Sequence, residues 1–353
     1  MSLSELSVIN VRCIEQAELQ MPAGLSLVWG RNGSGKTSLL EAIFLLGRGR
    51  SFRLRNTERL IRRSTDHLRV TGRISRPPRD PVPIAFECGP DGSAGRVAGR
   101  PVRSLAELTE AFPVQIIEPG IHKLVEEGAN HRRRWMDWAV FHVEPQFVDY
   151  WVRYTRAVKQ RNAALRTDSA QAASWDPELA RLGEQVSDAR RRLMASLAPH
   201  WREVAAVLTG LELEVHYYQG WNQDHTLLEA LAASRARDEA RQLTHAGPHR
   251  ADIALRLGGR LAREVLSRGQ QKLVAVAMTL AQIRLLQEAT QLTPTLLLDD
   301  PAAELDSTHL QLFIEQVTRL RCQLVVTSLH ADSRLFGTPD STFHMEQGRV
   351  LPV

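Results

Sequence analysis

One stretch constrains this chain more than any other: Gly30-Arg31-Asn32-Gly33-Ser34-Gly35-Lys36-Thr37. It follows the apolar run Leu25-Ser26-Leu27-Val28-Trp29 and precedes the helix-like Ser38-Leu39-Leu40-Glu41-Ala42-Ile43-Phe44-Leu45-Leu46. Strand, then G-x-x-x-x-G-K-[ST], then helix is the order of a P-loop. Its glycines let the backbone curl until successive N–H groups face a phosphate, and the positive end of the following helix adds to that field. Gly30 to Ser38 are therefore the expected contacts to a nucleotide such as ATP. Lys36 is expected to reach the β- and γ-phosphates and Thr37 to hold Mg²⁺ through its hydroxyl. A bound nucleotide does not by itself say what it is used for.

A chain of 353 residues exceeds the size at which a single core stops growing, so two lobes are expected. The P-loop lobe is expected over 1–125 and 290–353, and a mainly helical second lobe over 126–289. No segment approaches 18 unbroken apolar residues, and the first residues carry no basic and apolar leader pattern, so a cytoplasmic protein that does not span a membrane is expected. Cys13, Cys88 and Cys322 are far apart, which suggests neither disulfides nor a zinc site. Charge is more informative. Between Leu46 and Arg63 stand seven arginines, Arg48, Arg50, Arg53, Arg55, Arg59, Arg62 and Arg63, against one acid, Glu58, so this stretch alone outweighs the net charge of +5. Arg132-Arg133-Arg134 and Arg190-Arg191-Arg192 are further runs. Clustered arginines suit nucleic-acid phosphates, which makes Arg48, Arg50, Arg53, Arg55, Arg132, Arg133 and Arg134 candidates for nucleic-acid contact. Structural ion pairs are the competing reading.

The periodicity predicts an α/β protein. Ser4–Leu19 alternates loosely, as edge strands leading into Leu25–Trp29; His67–Ile74, Val82–Glu87 and Arg96–Val102 read as an antiparallel β layer, and Ser104-Leu105-Ala106-Glu107 as a capping box. From Arg132 to Leu208 the period becomes helical, with Asp176-Pro177 as a helix start and Pro199 as a kink. Trp135, Trp138, Trp151 and Trp201 fall on the periodic faces and read as core. Leu296-Leu297-Leu298-Asp299-Asp300 reads as a buried parallel strand ending in two acids. Beside a P-loop, Asp299 is expected to serve the Mg²⁺ shell and Asp300 to polarise the attacking water as general base.

Further blocks narrow the class. Leu266-Ser267-Arg268-Gly269-Gln270, before a helix, resembles the signature of the ABC ATPases, and Pro301-Ala302-Ala303-Glu304-Leu305-Asp306 resembles their D-loop. His330 matches their switch histidine, and Gln115 is placed like their Q-loop glutamine, a metal ligand. That resemblance implies an ABC-ATPase head in which two subunits sandwich two ATP molecules, with Ser267, Arg268, Gly269 and Gln270 acting in trans. Together with Leu46-Gly47-Arg48-Gly49-Arg50-Ser51-Phe52-Arg53, Arg132-Arg133-Arg134-Trp135-Met136-Asp137-Trp138 and Gly247-Pro248-His249-Arg250-Ala251-Asp252, the chain is similar to the RecF family from end to end. The resemblance implies an ATP-dependent DNA-binding dimer related to SMC heads. Such a dimer acts with RecO and RecR at single-strand gaps, helps RecA load, and is tied to replication restart and the SOS response. Asp300 stands where ABC ATPases usually carry Glu, so slow hydrolysis is expected. Arg268 could add a cationic contact to the γ-phosphate across the dimer. The ATPase subunit of a membrane transporter shares the P-loop, signature and paired acids, but leaves the arginine stretch and Gly247–Asp252 unexplained.

Overall fold

A computed structural model describes residues 1–54, 56–303 and 305–351. Arg55 and Glu304, both part of patterns above, lie outside the described residues. In chain order the elements are β1 (Ser2–Val11), β2 (Ile14–Gln20), β3 (Leu25–Trp29), α1 (Lys36–Arg48), β4 (Leu68–Arg76), β5 (Arg79–Gly89), β6 (Gly92–Val97), β7 (Arg100–Pro101), α2 (Leu105–Ala111) and β8 (Val114–Ile117). Next come α3 (Lys123–Glu126), α4 (Ala129–Val143), α5 (Phe147–Thr167), α6 (Ser169–Ala172), α7 (Asp176–Thr209), β9 (Glu214–Tyr218), α8 (Leu227–Arg241), β10 (Asp252–Leu257), β11 (Arg260–Leu261) and α9 (Ala262–Val265). The chain closes with α10 (Arg268–Thr290), β12 (Thr295–Leu298), α11 (Ser307–Arg319), β13 (Leu324–Ser328), β14 (Ser341–Glu346) and β15 (Arg349–Leu351).

The chain divides into two compact units, Met1–Ile121 with Leu286–Val353, and His122–Leu285. The first holds two six-stranded sheets. One is antiparallel, in the order β2-β1-β4-β5-β6-β7. The other is β15-β14-β3-β13-β12-β8, parallel except for the terminal β14–β15 hairpin. A single core joins Leu6, Val8, Val70 and Phe86 of the first sheet to Val28, Leu297 and Val325 of the second, through Leu39, Leu40, Ile43 and Leu46 of α1. From Leu39 to Arg48 every residue of α1 is buried, which is why its apolar side chains run round the whole helix there. The second unit is mainly helical and carries the small sheet β11-β10-β9.

Trp135, Trp138 and Trp201 are buried, whereas Trp151 is half-buried, edge-on to Phe141. α7 continues through Pro199 as one helix. Two expected caps differ. Ser104 makes no cap bond, and Glu107 reaches the N–H of Arg103 instead. Asp176 is already helical, and its carboxylate takes Arg161 Nε at 2.7 Å and Arg235 Nη2 at 3.2 Å. A reciprocal capping box does form at Thr226–Glu229, and Ser267–Gln270 exchange the same pair of bonds at the start of α10. The terminal hairpin was not expected from sequence: Ser341–Leu351 is short and lacks strong alternation.

Candidate nucleotide-binding site

Parallel strands end together on one edge of their sheet, where ligands of open α/β proteins collect. Here β3 runs into Gly30, β12 into Asp299, and β13 ends at Ser328, whose carbonyl accepts the N–H of Gly30 at 3.2 Å. The loop between β3 and α1 is left-handed at Gly35 (φ 114°), and a Cβ there would meet Cys13 Sγ and Met345 Cε at 3.0 Å. Only glycine combines that φ with that space. From the other side, Gly348 of the terminal hairpin donates its N–H to the carbonyl of Ser34 at 2.7 Å.

Lys36 is buried, and its ammonium donates to the carbonyls of Gly30 (2.6 Å) and Arg31 (3.0 Å). Burial lowers its pKa, while Asp300 and Asp299 pull the other way. The Ser34 hydroxyl is buried and has no hydrogen-bond partner, while Arg31, Asn32 and Gly33 are exposed. One turn into the site, Thr37 Oγ1 donates to the Asp299 carboxylate at 2.9 and 3.1 Å. Thr327 completes the set: its hydroxyl donates to Asp299 Oδ1 at 2.9 Å and accepts the N–H of Asp300 at 2.8 Å. Asp300 itself is left-handed (φ 50°). Thr327 carries no motif; the only signal for it is a hydroxyl at the end of the apolar run Leu324-Val325-Val326.

Thr37 and Asp299 are hard oxygen donors of the kind Mg²⁺ takes, and no three His, Cys, Asp or Glu converge among the described residues. A metal here would complete its shell with phosphate oxygens and water, as Mg²⁺ does in P-loop sites. An orphan hydroxyl, a cationic Lys36 and a Thr–Asp pair at the mouth of a helix thus fit a magnesium nucleotide.

The remaining candidates are placed as follows. Gln115 lies within β8 opposite Leu296, three residues before Asp299, so roughly 10 Å of strand separates it from the Thr37–Asp299 pair. Val114 and Ile116 face the α1 core, which leaves Gln115 on the other face. The metal-ligand expectation for Gln115 is therefore corrected. His330 is exposed, and its N–H donates to Ser328 Oγ at 3.1 Å, next to the strand end that holds Gly30. Asp306 caps α11 by accepting the His309 N–H at 3.0 Å, and it sits 2.6 Å from His309 Nδ1; these bonds hold its pKa low.

Ser267, Arg268, Gly269 and Gln270 are exposed and belong to the second unit. Arg268 points its guanidinium at buried His122 Nε2 (3.1 and 3.3 Å), and a Cβ on Gly269 would meet nothing within 4 Å.

Three of the seven arginine candidates contact the protein's own groups. Arg132 is buried and forks onto Asp252 at 2.7 and 3.1 Å, with further bonds to the carbonyls of Leu124, Val125 and Glu127. Arg133 reaches the Ala251 carbonyl at 2.6 Å. Arg48 is buried over the Phe44 ring. Arg132 thus has its cation neutralised inside the protein, whereas Arg133 stays half-exposed and Arg48 lies against an aromatic ring. In the third run, buried Arg190 forks onto Asp137, and Arg192 pairs with Glu144 at the surface. Arg53 and Arg134 are exposed and Arg50 is half-buried.

Comparison with known proteins adds breadth. The family model described as RecF/RecN/SMC N-terminal domain matches residues 2–347. The DNA replication and repair protein RecF of Chromohalobacter salexigens is 40% identical over 361 residues, covering 99% of each chain. That of Pseudomonas aeruginosa is 39% identical, covering 99% of this chain and 97% of its own. Among solved structures, that of the recombination mediator protein RecF-ATPrS in the RecFOR pathway aligns with a TM-score of 0.87 at 25% identity, covering 99% of this chain and 97% of its own. An Smc head bound to the C-winged helix domain of ScpA shares the fold, with a TM-score of 0.59 at 17% identity, covering 100% and 98%.

Proposed function

The chain belongs to the RecF family, and from that premise we propose that it is an ATP-dependent DNA-binding protein of recombinational repair and replication restart. The observation that carries the reading is the Thr37–Asp299–Thr327 cluster directly beneath the P-loop, in a chain that matches RecF proteins over its whole length. ATP is the substrate. Lys36, now held on loop carbonyls, turns to the β- and γ-phosphates, and the Ser34 hydroxyl gains an acceptor there. Thr37 and Asp299 would hold Mg²⁺, which would neutralise phosphate charge when bound. Asp300 acts as general base on the attacking water, its backbone fixed by Thr327, and His330 approaches the γ-phosphate as the switch residue. Hydrolysis is slow, because the shorter Asp300 side chain holds water less closely than a Glu would, and in this reading DNA stimulates it.

In this reading ATP joins two subunits, with Ser267, Arg268, Gly269 and Gln270 of each completing the other's site and Asp306 lying at the junction. The closed dimer clamps DNA at single-strand gaps or duplex/single-strand junctions without regard to sequence, and hydrolysis resets it. Partnership with RecR and RecO is supported by the similar protein of the RecFOR pathway, and help in loading RecA through them is part of the same proposal. The transporter reading is set aside, since the whole-length relatives are DNA replication and repair proteins. Sedimentation of wild type and Ser267→Arg, with and without ATP and DNA, tests the arrangement. The expected result is an ATP-dependent dimer that the substitution abolishes while ATP still binds. Equal dimerisation by the variant would contradict a signature acting in trans.

A further inference from the structure

Glu41 is the only acid of α1, it is fully buried, and it lies one helical turn beyond Thr37. A carboxylate so placed is tolerated only if its charge and lone pairs are met. Two separate segments meet them. Arg12, in the β1–β2 turn, forks onto it with Nε–Oε2 at 2.9 Å and Nη2–Oε1 at 3.2 Å. Ser51, just past α1, donates its hydroxyl to Oε1 at 2.6 Å. The same Ser51 oxygen accepts the N–H groups of Arg53 and Leu54, both at 3.0 Å, so its whole bonding capacity is used.

The far end of this segment is fixed to the same turn. Arg12 donates its N–H to the Leu60 carbonyl at 2.7 Å, Arg62 donates to Asn10 at 2.9 Å, and Val11 bridges Ile61. Arg12 is left-handed (φ 57°), a conformation that a long L side chain adopts only where its surroundings insist. Between these two anchors and just beyond them stand the exposed cations Arg53, Arg59 and Arg63.

We infer that Glu41 is a positioning residue that fixes the arginine-bearing segment 51–63 to the P-loop helix, so the cations that meet the DNA backbone ride on the element that holds the nucleotide. Any shift of the first turn of α1 is passed through Glu41 to Ser51 and to Arg12, which grip opposite ends of the segment. The inference rests on the proposed DNA-binding function and assigns its basic surface to Arg53, Arg59 and Arg63.

The test uses the full chain with Ser51→Ala, which leaves the Arg12–Glu41 pair in place, and Ser51→Thr, which keeps the hydroxyl. Three quantities are measured: affinity for a fluorescent duplex DNA in the presence of ATP, affinity for a fluorescent ATP analogue, and amide exchange at residues 53 and 54. Ser51→Ala is expected to speed exchange and weaken DNA binding about tenfold while nucleotide affinity stays within about twofold, and Ser51→Thr to restore both. Faster exchange with DNA affinity unchanged would overturn the positioning role. Arg53→Ala with Arg59→Ala separates the two failures. If that pair weakens DNA binding and Ser51→Ala does not, the positioning inference alone falls; if the pair has no effect, the assignment of the segment to DNA falls with it.

Discussion

Lys36, Asp300 and Gly348 show how single residues set the candidate site. Lys36 sits on the carbonyls of Gly30 and Arg31 in a buried position that only another oxygen ligand can replace without loss. Lys36→Ala is expected to lower affinity for a fluorescent ATP analogue by a factor of about 100 without unfolding the chain. Asp300→Asn removes the base but not the phosphate contacts. Hydrolysis measured by phosphate release is expected to fall by a factor of about 100 or more while the analogue still binds. Gly348 has φ 80°, and a Cβ there would stand 2.1 Å from the Cys13 carbonyl oxygen. Gly348→Ala is therefore expected to cost about 2 kcal/mol or more, read as a lower Tm, and to weaken nucleotide binding because Gly348 N–H supports Ser34. The P-loop was legible because its eight positions are contiguous and each has a fixed chemical job. Thr327 was not, because a threonine at a strand end has many uses until Asp299 and the Asp300 N–H are seen around it.

At the scale of elements, the second unit is pinned by buried polar bonds between helices. Arg161 of α5 is buried between Asp176 of α7 and Asp238 of α8, at 2.7 Å from each, and also donates to Thr244 Oγ1. Arg161→Ala removes the cation shared by two buried carboxylates, leaving Asp176 with Arg235 and Asp238 with Ser234 and His245, and is expected to destabilise the protein by about 3 kcal/mol, read by chemical denaturation. His249 gives the unit a pH response. Its Nε2–H donates to the Thr244 carbonyl at 2.9 Å, which leaves Nδ1 to accept the Tyr154 hydroxyl at 2.6 Å. Burial, with Arg250 and Arg133 nearby, outweighs the Thr244 bond and pushes its pKa down to about 4 from 6.5. The unfolded chain therefore takes up a proton that the folded chain refuses. Stability falls as pH drops through 6.5 and levels off below about 4, a loss of up to about 3 kcal/mol. Melting from pH 7.5 to 4.5 should show this slope, and His249→Gln, weaker at pH 7.5, should flatten it; parallel profiles would contradict the assignment. The helical period of this unit was readable, but the fate of its arginines was not. Arg132 and Arg190 find Asp252 and Asp137 at sequence separations of 120 and 53, a pairing no local pattern encodes.

For the whole molecule, the α/β class and the succession of antiparallel layer, helical stretch and paired-acid strand follow from periodicity, because each element buries a face of regular spacing. The mixed sheet's closing hairpin does not, since β14 and β15 are short and owe their place to β3 and the P-loop. The proposed clamp joins a P-loop that is contiguous in sequence to exposed arginines, Arg53, Arg59 and Arg63, whose exposure no local pattern encodes. Contact through phosphates alone further predicts binding that weakens steeply with salt and differs little between base sequences, checked by titrating one gapped duplex and a sequence-scrambled version across ionic strength. The most direct test of ATP-gated clamping is the affinity of the wild-type protein for one gapped duplex at fixed ionic strength, with ATP and then with ADP. The account predicts binding about tenfold tighter or more with ATP, the size of a typical coupling free energy, and equal affinity in the two states would contradict it.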